Sequence, residues 1–336
     1  MVERRGQVMS IEQKLTEAFK HNESSLDCPP SLDTRIIAEY DRMVMNKRGN
    51  SKMKKKLSMP RVVIIALVVA ILCGFAYSGS KFLYSDSKGH FSIRLQSNEA
   101  FSLDPITLEK ARNSIKVVQA QLAPGETAVV YHPEVFSQFP VDIPIIGVSN
   151  LEYIYDAQQW KAVLEEQNVT ESVPQSLLAG TYEFEAGAIN SPFYSMMGMD
   201  AMDLLDEMKV EKKNVDEDKP LWRLTDIFTL PDISVYTTVY RDTNGEALYF
   251  TWQIYNDSSM KVESFTSPST EYEEFNLDGK KIHYVKINES LFGDSTVFQS
   301  VMWMEEKGDA TIVYSIESDS VTMTKEKLTG AVTSLP

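Results

Sequence analysis

The side chains able to do chemistry in this chain are scattered. Its four histidines, His21, His90, His132 and His283, stand far apart, with His132 before a proline and His283 inside a candidate strand. No HExxH pair for zinc, no GxSxG elbow, no CxxC and no glycine-rich phosphate cradle occurs. Cys28 and Cys73 each stand alone. Five methionines, Met196, Met197, Met199, Met202 and Met208, crowd a short stretch. Thioethers suit Cu(I), but with no accompanying His or Cys they read as adaptable packing residues. Acidic side chains are so plentiful that any chosen pair would carry little weight as an acid/base couple. The expectation is a protein that is not an enzyme and that holds no cofactor and no metal.

Binding is the better-supported chemistry. Ile11, Leu15, Ala18 and Phe19 fall at i, i+4, i+7 and i+8, one apolar stripe on a helix. After Cys28-Pro29-Pro30, Ser31 can cap a second helix with Leu32, Ile36, Tyr40 and Met43 near one face. About sixty residues cannot bury two such stripes well alone. Ile11, Leu15, Phe19, Leu32, Ile36, Tyr40 and Met43 are therefore the candidate partner-binding residues, in a helix-in-groove arrangement.

Residues 62–80 carry no charge between Arg61 and Lys81. As a helix they would span roughly 28 Å, close to the roughly 30 Å hydrocarbon core of a bilayer. They lie too far from the N-terminus, and run too long, for a cleavable signal peptide. Lys47, Arg48, Lys52, Lys54, Lys55, Lys56 and Arg61 precede this run, against Lys81 and Lys88 just after it. The positive-inside rule then predicts a single-pass protein of the cell membrane, N-terminus cytoplasmic and C-terminus extracytoplasmic. Residues 1–61 carry 13 Lys/Arg against 8 Asp/Glu, a net +5, and residues 81–336 carry 20 against 40, a net −20. So acidic a region excludes nucleic acid as a partner recognised by charge. It also has no cysteine, hence no disulfide.

The fold class predicted is α+β: a short helical cytoplasmic segment, one transmembrane helix, and an extracytoplasmic antiparallel sheet with packing helices. Within it, 81–90 reads as a polar stalk, open to processing proteases between about Ser78 and Phe91. Residues 91–219 read as an α+β subdomain with the Met-rich insertion, and 220–336 as an antiparallel sheet closed by a helix. The signals are local. Asp104-Pro105 and Asp156 open helices, Asn244-Gly245 and Asp278-Gly279 turn hairpins, and Thr324 caps the last helix.

This order of parts resembles the transmembrane anti-sigma factors of Gram-positive bacteria. IEQKLTEAFKHN and CPPSLDTRIIAEYDRM correspond to the cytoplasmic helices of that family, followed by a basic flank, one span and an acidic outer domain. DGKKIHYVKI, SVMWMEEKGDATIVYSIES and TKEKLTGAVTSL look like outer domains of such proteins, similar to the lipoprotein-carrier sheet fold. Cys28, alone seven residues after His21, does not meet the His-x3-Cys-x2-Cys zinc pattern, so the resemblance is to the zinc-free kind. It implies a membrane-anchored regulator that sequesters a sigma factor and senses an envelope signal. The alternative is an anchored binding module for a lipid or cell-wall ligand, with Tyr249, Trp252, Tyr255, Tyr284, Phe298 and Trp303 lining a concave sheet face.

Overall fold

A computed structural model describes residues 81–88, 91–98, 102–135, 144–167, 169, 173–193, 200–212, 220–225, 233–256 and 261–335. The described chain opens with a hairpin, β1 (Lys81–Lys88) and β2 (Phe91–Ser97). Asp104 then caps α1 (Pro105–Gln119), its Oδ1 accepting from the N–H groups of Ile106 and Thr107, both at 3.0 Å. The strands β3 (Thr127–Tyr131), β4 (Ile145–Ser149) and β5 (Tyr153–Ile154) follow, and Asp156 caps α2 (Ala157–Glu166). Next come β6 (Ser176–Leu177), β7 (Tyr182–Ile189), α3 (Asp200–Glu211) and β8 (Leu221–Thr225). The last third is β9 (Ile233–Arg241), β10 (Ala247–Tyr255), β11 (Lys261–Thr266), β12 (Glu271–Leu277), β13 (Lys280–Ile287), β14 (Phe298–Lys307) and β15 (Ala310–Ser318). It ends in α4 (Lys325–Thr333), capped by the Thr324 hydroxyl. Asp278 and Gly279, with φ of 52° and 80°, form the tight β12–β13 turn, the left-handed pair that matches strand twist.

Three sheets result. The largest runs β12-β13-β14-β15-β10-β9-β7-β5 with β6 beside β7, every pairing antiparallel. A second, β1-β2-β11, joins β2 to β11 in parallel. The third is β4-β3-β8.

Strand alternation gives the large sheet two apolar faces. One carries Tyr236, Tyr240, Phe250, Trp252, Trp303 and Tyr314, and shares a core with Trp160 and Leu164 of α2 and Leu328 and Val332 of α4. The other face has two covers. Phe91, Ile93, Leu95 and Val262 of the second sheet pack with Val235, Tyr255 and Val313. Farther along, Ile115 and Val118 of α1 share a core with Phe193, Phe292, Tyr249 and Phe298. The third sheet is itself sandwiched: Ala128, Val130, Ile146 and Val148 face α1, while Val129, Ile145 and Leu221 meet Leu205 and Met208 of α3. The terminal helix is tied down at Glu246, whose carboxylate accepts hydrogen bonds from Tyr182, Ser320, Thr322 and Lys327. Burial alone would raise its pKa, yet these donors hold it down to about 2.

Three sequence expectations are corrected. The fold expected as α+β is strand-dominated: among the described residues 47% lie in strands against 23% in helices. The helical segments are short and apolar on one side only, so they serve as covers over sheets. The polar stretch 81–90, expected as an exposed stalk, supplies β1, because its backbone completes the hydrogen bonding of β2. The third correction concerns the membrane. No helix among the described residues is long and apolar enough to cross one, and the longest, α1, has 15 residues with a polar side. The span expected at 62–80 lies outside the described residues, so the structure gives no support to a single-pass protein of the cell membrane.

Candidate functional site

A cleft of about 560 Å³ runs along the outer side of α1. The helix is held from within. Leu108, Ala111, Ile115 and Val118 are buried, and the Arg112 guanidinium donates to the backbone carbonyls of Ser290, Phe292 and Gly293. That anchoring turns the opposite stripe, Ile106, Glu109, Lys110, Asn113, Ser114 and Val117, into one wall of the cleft. The other wall is Tyr131, His132 and Glu134 where β3 ends, Lys212 just past α3, and Pro220 just before β8.

His132 is the unusual member. It is only 6% exposed, and its backbone N–H donates to the carbonyl of Pro144 at 2.8 Å. Its Nδ1 stands 3.8 Å from Glu134 Oε2, while Nε2 is buried with no hydrogen-bond partner among the described residues. Burial pushes the imidazole pKa down; Glu134 opposes this, and Lys110 and Lys212 push it lower still. A neutral ring with one idle nitrogen is the outcome. Leaving such a group unsatisfied costs roughly 1–3 kcal/mol.

A second cluster has the order of a catalytic relay. Asp86 Oδ2 lies 3.0 Å from His283 Nε2, and His283 Nδ1 lies 3.0 Å from the Tyr272 hydroxyl. The Tyr84 ring stacks on the imidazole at 4.4 Å between centroids, and Lys281 sits 3.1 Å from Glu274 and 3.9 Å from Asp86. Carboxylate, imidazole and hydroxyl in line would activate a nucleophile if the phenol were made more acidic. The reverse holds here: burial, and then the nearby Glu274 carboxylate, push the Tyr272 pKa up. The cluster fits a clasp better than a catalyst, joining β1 to β13 and β12.

The expected partner-binding residues Ile11, Leu15, Phe19, Leu32, Ile36, Tyr40 and Met43 lie outside the described residues, as do Met196, Met197 and Met199. Met208 lies on α3 and is buried against Val129, Ile145 and Leu221, and no group of His, Cys, Asp or Glu among the described residues is arranged to hold a metal ion. The six aromatics proposed for one concave face divide between two. Trp252, Tyr284 and Trp303 pack under α2 and α4, whereas Tyr249, Tyr255 and Phe298 face the other way. Sequence reasoning missed Lys110, Lys212 and the Asp86–His283–Tyr272 cluster. The polar side of α1 was the one available signal for the cleft, and the cluster had none. No family model, curated protein or solved structure matches the chain.

Proposed function

We propose that this chain is a non-catalytic binding module that takes a small ligand in the cleft between α1 and the end of β3. The observation that carries this reading is a cleft of about 560 Å³, large enough for a small molecule, whose walls bring Lys110, Lys212 and the nearly buried His132 together from three separate elements. This reading takes up the binding-module expectation at a different place, the flank of α1, because the aromatics of the broad sheet face lie in the protein's own cores. The relay at His283 favours the same non-enzymatic reading, since its phenol is held away from the reactive phenolate.

A screen of thermal denaturation of the full chain against a panel of small carboxylates, phosphates, amines and sugars tests this. Ligands present at a hundred times Kd stabilise the folded state by about 2.7 kcal/mol. The expected result is one or more compounds that raise the melting temperature of the native chain but not of a Ser114→Trp variant, whose indole intrudes into the cleft from the α1 wall. Compounds that shift both chains equally, or a panel without effect, would overturn the reading.

A further inference from the structure

Resting on that reading of the cleft, we infer that the ligand is an amphiphilic anion, an anionic head group on a short apolar body. Residues 81–336 carry twice as many Asp/Glu as Lys/Arg, 40 against 20, so a convergence of cations needs a local reason. Three separate elements provide one here. Lys110 comes from α1, Lys212 from just past α3 and His132 from the end of β3, all lining one cleft. Neither lysine has an ion-pair partner among the described residues.

The acidic groups in the cleft sharpen the assignment. Glu134 faces Nδ1 of His132, and Glu109 lies on the α1 wall. With the Nδ1 proton directed toward Glu134, the enclosed Nε2 of the neutral ring carries the lone pair that a further proton would occupy. Lys110 and Lys212 oppose protonation of that nitrogen while the cleft is empty. An anion seated beside the two lysines cancels their opposition through its charge, so His132 takes up a proton more readily. Binding of the anion and of the proton are then mutually favourable. The apolar part of the ligand has its own contacts. Ile106 and Val117 are 79% and 48% exposed on the same helix stripe, with Pro220 on the opposite wall.

Calorimetric titration of the full chain with octanoate, octanol and octylamine separates the possibilities. Octanoate is expected to bind at least tenfold more tightly than either of the others. The double variant Lys110→Ala/Lys212→Ala should weaken octanoate at least tenfold. Octanoate does not itself titrate between pH 8 and pH 6, so an affinity gain of threefold or more over that range reports His132, and His132→Gln should abolish the gain. Octylamine or octanol binding as tightly as octanoate would overturn the anionic class while leaving the cleft as a ligand site. No binding by any of the three overturns the amphiphile class. If Ser114→Trp is also without effect on every compound in the thermal screen, the cleft reading falls as well.

Discussion

The carboxylate of Asp86 and the imidazole of His283 meet at 3.0 Å although 197 residues separate them in the chain. His283 is 1% exposed at its side chain and Asp86 15%, so the pair closes the second sheet onto the β12–β13 edge of the large one. Burial, the larger influence, lowers the His283 pKa; Asp86 and Glu274 oppose it, and Lys281 reinforces it. A histidine whose folded pKa is depressed stabilises the fold above its unfolded value of about 6.5, and that stability is lost as pH falls through the folded value.

Asp86→Asn should therefore act in two ways. It should cost about 1–3 kcal/mol at neutral pH through the lost charge-assisted hydrogen bond. It should also depress the His283 pKa further, so that the variant loses more stability than the native chain between pH 7 and pH 5. Urea midpoints across that range check the first effect, and proton resonances of the imidazole check the second. A variant whose pH profile parallels the native one would show that the pair is not coupled.

Glu317 should give the opposite pH dependence. It is 4% exposed on β15, accepting from Ser315 Oγ at 2.7 Å and from Thr251 Oγ1 at 3.5 Å, and Thr251 in turn meets Thr237 at 3.2 Å. Burial pushes its pKa up to about 7, against the pull of these hydroxyls. A carboxyl whose folded pKa is raised contributes stability that is whole below its unfolded value, near 4.5, and lost as pH rises through about 7. Glu317→Gln should lie within about 1 kcal/mol of the native chain at pH 5 and exceed it by about 1–3 kcal/mol at pH 9. Denaturant midpoints at the two pH values measure this, and a constant difference would refute it.

Gly187 on β7 permits the approach of α2. A Cβ there would stand 2.0 Å from Cδ2 of Trp160, whose indole N–H donates to Thr238 Oγ1 at 2.8 Å. Gly187→Ala must displace that ring and should destabilise by about 1–3 kcal/mol or more. Gly330→Ala is the control, because its Cβ meets only the flexible end of Leu178, at 2.9 Å, and should change stability by less than about 1 kcal/mol. Similar losses in both variants would remove the special role of the Trp160 contact.

What the sequence revealed follows the range of the forces involved. Asp104-Pro105 placed the start of α1 at the right residue, Thr324 did the same for α4, and Asp278-Gly279 located a two-residue turn, since caps and turns act within a few residues. Sheet membership was hidden. Nothing local to 81–88 says that Tyr84 and Asp86 will pack against Tyr272 and His283 far along the chain, and the charged ends of β1 read as a stalk. The candidate site was hidden for the same reason. Lys110 and Lys212 resemble any solvated lysine until α1 and α3 are packed on opposite faces of one small sheet, and His132 resembles a loop residue until its ring is enclosed.

The parallel pairing of β2 with β11 has a further consequence, in time rather than in space. Ser92 pairs with Lys261, so during synthesis the first hairpin emerges about 170 residues before the strand that completes its sheet. At roughly 5–20 residues per second that delay is on the order of ten to thirty seconds, far longer than the microseconds in which a hairpin forms. Throughout that interval Phe91, Ile93 and Leu95 have no sheet to cover. Slowing translation between Thr127 and Lys261 should lengthen the exposure of this apolar face and raise the fraction of nascent chains captured by chaperones.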